Sequence, residues 1–190
     1  YDQPLGGLLA VDHATKQWMA LAAVFTSGMV LQRGEACLWG WTNGRAKELA
    51  LHLQSELDGS QLAPPYPVTD VWAKPGDSDF TNVAGDGSVK WRVCFPTPPP
   101  PSEANPSYQV TLVSSFANLT LNNVVSGDVF LCARQSNMGF PPVNDRRSDL
   151  HPSLHIRLLA LASVETTRPR ADTQTVFKGL AADAYERVEG

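Results

Sequence analysis

The chain has 190 residues, with 15 Lys+Arg, 19 Asp+Glu, a formal net charge of -4 and a hydrophobic fraction of 43%, the composition of a mildly acidic globular protein. No Lys/Arg block offers the basic face that phosphate neutralisation needs, so a nucleic-acid partner is not expected. The longest apolar run, Trp18 to Phe25, falls far short of the ~20 residues that cross a bilayer, and no membrane span is expected.

The sequence begins at Tyr1 rather than Met, as it would if a secretory leader had already been removed. Residues 1–22 read as an N-terminal extension, and residues 23–125 as a β-sandwich domain of short apolar segments separated by turn clusters. In chain order the expected strands are 22–32, 36–41, 47–54, 68–73, 89–95, 107–114 and 118–125. The clearest is the third: Leu49, Leu51 and Leu53 point one way while Glu48, Ala50 and His52 point the other, a period of two. Gly- and Pro-rich stretches mark the loops, among them Pro98 to Pro101. That run has no amide donors and reads as a stiff polyproline II insertion rather than as a docking peptide for an SH3-like partner.

After Ser126 the pattern changes, and residues 126–190 are expected to form an incomplete α/β domain. GDVFLCA (127–133) is continuously apolar, as is HIRLLALA (155–162), which suits strands buried on both faces of a parallel sheet. The tail 175–190 is compatible with a helix. Cys37, Cys94 and Cys132 have neither a CxxC nor a Cys/His spacing, so no metal and no cofactor is expected. Cys37 and Cys94 fall in strand-like segments; a bond between those strands is open, and buried free thiols are the expectation.

Gln135-Ser136-Asn137 follows the first continuous run directly. At the carboxyl end of a parallel strand such a serine faces the ligand crevice, with the next helix's amides aimed at a developing oxyanion; a helix N-cap would occupy the same position. The stretch SGDVFLCARQSNMGFP (126–141) resembles the nucleophile block of the sialate O-acetylesterase family, which reads close to GDVWLCSGQSNM-F-P. VFTSGMVLQRGEACLWGW (24–41) resembles that family's opening strands, and HIRLLALA its next strand. The resemblance covers the chain from Val24 to about Ala162. It implies a jelly-roll-like β-sandwich followed by the first part of a flavodoxin-like, SGNH-type α/β hydrolase domain.

What the resemblance further implies is a carbohydrate esterase that removes O-acetyl groups from sialic acid or another acetylated sugar, in a secreted, extracellular or lysosomal setting. Ser136 would be the nucleophile through an acyl-serine intermediate, with Gln135 and Asn137 supporting the turn and the oxyanion. The family's base and its aspartate come from a DxxH segment, and the four histidines, His13, His52, His151 and His155, include none in that spacing. The hydrolase domain is therefore expected to be completed by a further C-terminal segment or a second chain. Arg134 stands where the family has Gly; it either crowds the oxyanion region or pairs with an acidic sugar's carboxylate. A relative without activity, serving as a structural or carbohydrate-binding component of an extracellular assembly, is the alternative expectation. Asn118-Leu119-Thr120 is an N-glycosylation sequon.

Overall fold

The computed structural model describes residues 8–43, 45–72, 89–102, 106–131, 156–161 and 175–180. In chain order the strands are β1 (Leu9–Asp12), β2 (Gln17–Leu21), β3 (Val30–Gln32), β4 (Glu35–Thr42), β5 (Ala50–Ser55), β6 (Tyr66–Pro67), β7 (Asp70–Trp72), β8 (Val89–Pro96), β9 (Tyr108–Val113), β10 (Asn118–Gly127), β11 (Arg157–Leu161) and β12 (Thr175–Leu180). The first ten make two five-stranded sheets, β1-β2-β4-β8-β7 and β3-β10-β9-β5-β6. All pairings in both sheets are antiparallel except β3 with β10, which run parallel.

Alternation dictates which side chains meet. Leu51 and Leu53 of β5, Val110 and Leu112 of β9 and Leu119 and Leu121 of β10 face inward from one sheet; Leu38 of β4 and Trp91, Val93 and Phe95 of β8 face inward from the other. These side chains form one core cluster, so the two sheets close as a sandwich, and each large side chain fully buried there contributes about 1.5–3 kcal/mol. Tyr66 against Phe95, with ring centroids 5.7 Å apart, bridges the two layers. Gly40 has no room for a side chain: a Cβ there would lie 1.9 Å from the Ala20 carbonyl oxygen and 2.7 Å from the Trp91 ring.

The structure corrects several expectations from the sequence. Within the stretch 1–22 expected as an extension, Leu9–Asp12 and Gln17–Leu21 are strands β1 and β2 of the first sheet. Of the expected strand 22–32 only Val30–Gln32 is a strand; the chain before it turns at Ala22–Phe25 and at Gly28 (φ 82), and Phe25 packs edge-on against Trp39 at 4.5 Å. Ala46–Glu48 forms a 3-10 turn ahead of β5 rather than its first residues. Cys37 and Cys94 are direct cross-strand partners and are joined in a disulfide; their outward position on adjacent strands puts the sulfurs together, so they are not the free thiols expected.

The larger corrections fall after Ser126. Gly127 ends β10, and Asp128–Leu131 belong to no strand, with Phe130 and Leu131 each 83% exposed. The continuous apolar run is not a strand buried on both faces there; apolarity alone does not supply the neighbours such a strand needs. β11 pairs antiparallel with β12, so the HIRLLALA run is not laid in a parallel sheet. Thr175–Leu180 is that partner strand and not the expected helix, consistent with its β-branched and aromatic Thr175, Val176 and Phe177. Among the described residues no α-helix occurs.

The proline run keeps to the surface where it is described. Thr97 docks its start, donating from its amide to the Gly34 carbonyl (3.2 Å) and from its hydroxyl to that of Gln32 (3.3 Å). The Ser126 hydroxyl donates to the Pro98 carbonyl at 2.5 Å, and Pro99, Pro100 and Pro101 are exposed.

Candidate functional site

Arg134, Gln135, Ser136 and Asn137 lie outside the described residues, as do Cys132, His151 and His155. What the structure describes is the platform from which that segment departs and to which the chain returns. It is built where β3 runs beside the end of β10, with Val30 opposite Val125, Leu31 opposite Ser126 and Gln32 opposite Gly127. Leu31 and Gln32 of the first block that carries the family resemblance are thus paired with Ser126 and Gly127, which open the second, nearly a hundred residues away.

The departure point is held by polar groups of the first block. The Arg33 amide donates to the Gly127 carbonyl (2.8 Å), and the Val129 amide donates to Gln32 Oε1 (2.9 Å). Arg33 grips the Asp128 carboxylate with both arms of its fork, Nε to Oδ1 at 2.6 Å and Nη2 to Oδ2, the geometry that suits a guanidinium to a carboxylate. Hydrogen bonding and charge from Arg33 hold the Asp128 carboxyl below the usual range, and Asp128 raises the Arg33 guanidinium in return. Both side chains are about half exposed, at 56% and 46%, so the pair orients the chain more than it stabilises it.

The return point lies one bulge back along β10. The β9 pairing slips between Leu121 and Val124, and Asn123 takes a left-handed conformation (φ 54) that asparagine tolerates better than most residues. Glu56 accepts the Asn123 amide (2.6 Å) and the Ser107 hydroxyl (2.5 Å). Arg157, the first residue of β11, donates from Nη1 to the carbonyls of Gly28 (2.9 Å), Met29 (3.3 Å) and Asn123, and from Nη2 to Asn123 Oδ1 (2.9 Å). Burial pulls the Arg157 guanidinium below its usual value, against the charges of Glu56 and Tyr108, and burial raises the Tyr108 hydroxyl, which has no hydrogen-bond partner among the described residues.

The described chain on either side of residues 132–155 is thus held at one sheet edge, at Asp128 by Arg33 and at Arg157 by Gly28, Met29 and Asn123. The platform's guanidiniums stay protonated, and the hydroxyl it holds against a carboxylate is that of Ser107, on Glu56; neither residue belongs to the Gln135-Ser136-Asn137 segment. His13 sits in the β1–β2 turn, and His52 faces outward on β5, two strands from β10. Asn118 is exposed at the start of β10. Among the described residues no group of three or more His, Cys, Asp or Glu could hold a metal ion, and no helix is long and apolar enough to cross a membrane.

The sequence reading did not single out Gln32, Arg33, Glu56, Asn123, Asp128 or Arg157 as site residues. Gln32, Arg33 and Asp128 lie inside the quoted motif blocks and Arg157 inside the HIRLLALA run, which was the available signal; that they meet depends on a pairing 95 residues apart. The chain matches no protein-family model and no characterised protein.

Proposed function

We propose that the chain is the nucleophile-bearing part of a carbohydrate O-acetylesterase, with Ser136 attacking the acetyl carbonyl of an O-acetylated sialic acid or related sugar. The observation that supports this reading most is the pairing of Val30–Gln32 with Val125–Gly127, closed by the Arg33–Asp128 fork: residues from both segments that resemble the esterase family meet just ahead of Gln135-Ser136-Asn137 in the chain. In this proposal the Ser136 amide is one oxyanion donor, Gln135 and Asn137 brace the turn, and the base comes from a segment or chain that completes an α/β hydrolase sheet. The cross-strand disulfide suits the oxidising, secreted or lysosomal setting that goes with such a substrate.

Arg134 in the position of the family's Gly favours a second reading, a relative without esterase activity that serves in an extracellular assembly. Treating the natural protein, with whatever partners accompany it, with a fluorophosphonate probe separates the two. Labelling of Ser136, and loss of both labelling and acetate release in Ser136→Ala, is the esterase outcome. An unlabelled Ser136 in protein with an intact disulfide rejects it in favour of the second reading.

A further inference from the structure

One motif has no part in the proposed esterase chemistry, the sequon Asn118-Leu119-Thr120. Asn118 is the first residue of β10, exposed, and opposite Val113 across the β9–β10 hairpin. The turn before it satisfies its own polar groups: Ser114 donates from its amide (3.0 Å) and hydroxyl (2.7 Å) to the Ala117 carbonyl, and its hydroxyl accepts the amides of Phe116 (3.3 Å) and Ala117 (2.9 Å). The turn therefore stands without the Asn118 carboxamide. β3 pairs with β10 only at Val125–Gly127, so at Asn118 no second strand is hydrogen-bonded to that side of β10 among the described residues.

Alternation along β10 puts Asn118 and Thr120 on one face, away from the buried Leu119 and Leu121. The Thr120 hydroxyl lies on that outer face, 3.2 Å from the Thr111 hydroxyl. An amide acceptor and the hydroxyl two residues on are thus presented together, at a site where a bulky sugar displaces nothing from the core. The second, independent observation is the Cys37–Cys94 disulfide, because bonds of this kind form and persist in the oxidising lumen in which asparagine-linked glycosylation also takes place.

We infer that Asn118 is an N-linked glycosylation site, modified by transfer from a polyprenyl-diphosphate-linked oligosaccharide. Asn118 Nδ2 forms a bond to C1 of the reducing-end sugar, the bond from C1 to the diphosphate oxygen breaks, the amide gives up one proton to a base of the transferase, and the lipid diphosphate leaves. The glycan then covers the Asn118 end of the outer face of β9 and β10.

The test routes the full chain into the secretory lumen of a eukaryotic cell and recovers all lumenal chain, folded or not, so that a folding failure cannot hide the modification. Digestion with a peptide amidase in heavy-oxygen water is expected to remove one glycan-sized increment of mass and to leave residue 118 as labelled aspartate. Asn118→Gln and Thr120→Ala are expected to lose the increment, whereas Thr120→Ser, which keeps the hydroxyl, retains it. Unmodified Asn118 in lumenal chain whose Cys37–Cys94 bond is closed overturns the inference, as does an increment that survives Thr120→Ala. Neither result bears on Ser136.

Discussion

Single positions in this sandwich differ sharply in what they tolerate. Gly40 sits opposite Trp91 across the β4–β8 pairing, and its missing Cβ would lie 1.9 Å from a backbone oxygen that cannot swing away. Gly40→Ala is therefore expected to cost about 3 kcal/mol or more, the upper end for overpacking a core, read as a lowered urea midpoint. Asp128 behaves differently because it acts through charge. Its folded-state acidity is increased by the Arg33 fork, so its stabilising contribution is fully present above the unfolded carboxyl value of about 4 and is lost as pH falls through the lower folded value. Asp12, bonded to Thr15 and Ala14, and Asp58, bonded to Ser60, shift in the same direction. Asp128→Asn is expected to lose less stability than the wild type on acidification from neutral pH, since one of these carboxylates no longer titrates; parallel denaturation curves at neutral and acid pH measure the difference.

Among the elements, β4 and β8 form the longest pairing in the first sheet, eight residue pairs from Glu35–Pro96 to Thr42–Val89, and the Cys37–Cys94 bond lies within it. It closes a loop with a sequence separation of 57, for which restriction of the unfolded chain is worth about 4 kcal/mol. Replacing both cysteines by alanine is expected to cost about 2–4 kcal/mol in denaturant titrations, and agreement between the double variant and the reduced wild type would assign the loss to the cross-link itself. The strands that alternate most cleanly in sequence, β5, β8 and β9, were legible because one face is apolar and the other mostly polar, as Leu51 and Leu53 against His52 and Gln54 show. The disulfide was less so: two half-buried cysteines on separate strands become a bond only once register places 37 opposite 94. The runs Asp128–Leu131 and Arg157–Leu161 were misread for a related reason. A continuous apolar segment reports what its side chains prefer, but not whether the partner is parallel, antiparallel or absent, and here Val129 and Phe130 are exposed while β11 takes an antiparallel partner.

At the scale of the molecule, the sandwich brings Val30–Gln32 beside Val125–Gly127 at the β3/β10 edge and holds Asp128 through Arg33 and Arg157 through Gly28, Met29 and Asn123. Sequence could name those blocks but not their contact, which depends on the parallel pairing of Val30 with Val125. Of the two histidines within the described residues, His13 is in a hairpin turn and His52 on the outer side of β5, and no Asp-x-x-His spacing occurs anywhere in the 190 residues. A serine hydroxyl without a base keeps its proton during attack, and general-base assistance typically contributes about 10²–10⁴-fold, or roughly 3–5 kcal/mol of barrier. The 190-residue chain by itself is therefore expected to hydrolyse p-nitrophenyl acetate no faster than background and to leave Ser136 unlabelled by a fluorophosphonate. On the proposed esterase reading, adding a segment or partner that supplies a base is expected to restore both reactions in the wild type and neither in Ser136→Ala. If the completed assembly stays silent, Arg134→Gly distinguishes crowding at the oxyanion from lack of a competent site, because removing the guanidinium relieves only the former. Robust labelling of the isolated chain would overturn this account, since it requires a base within these residues.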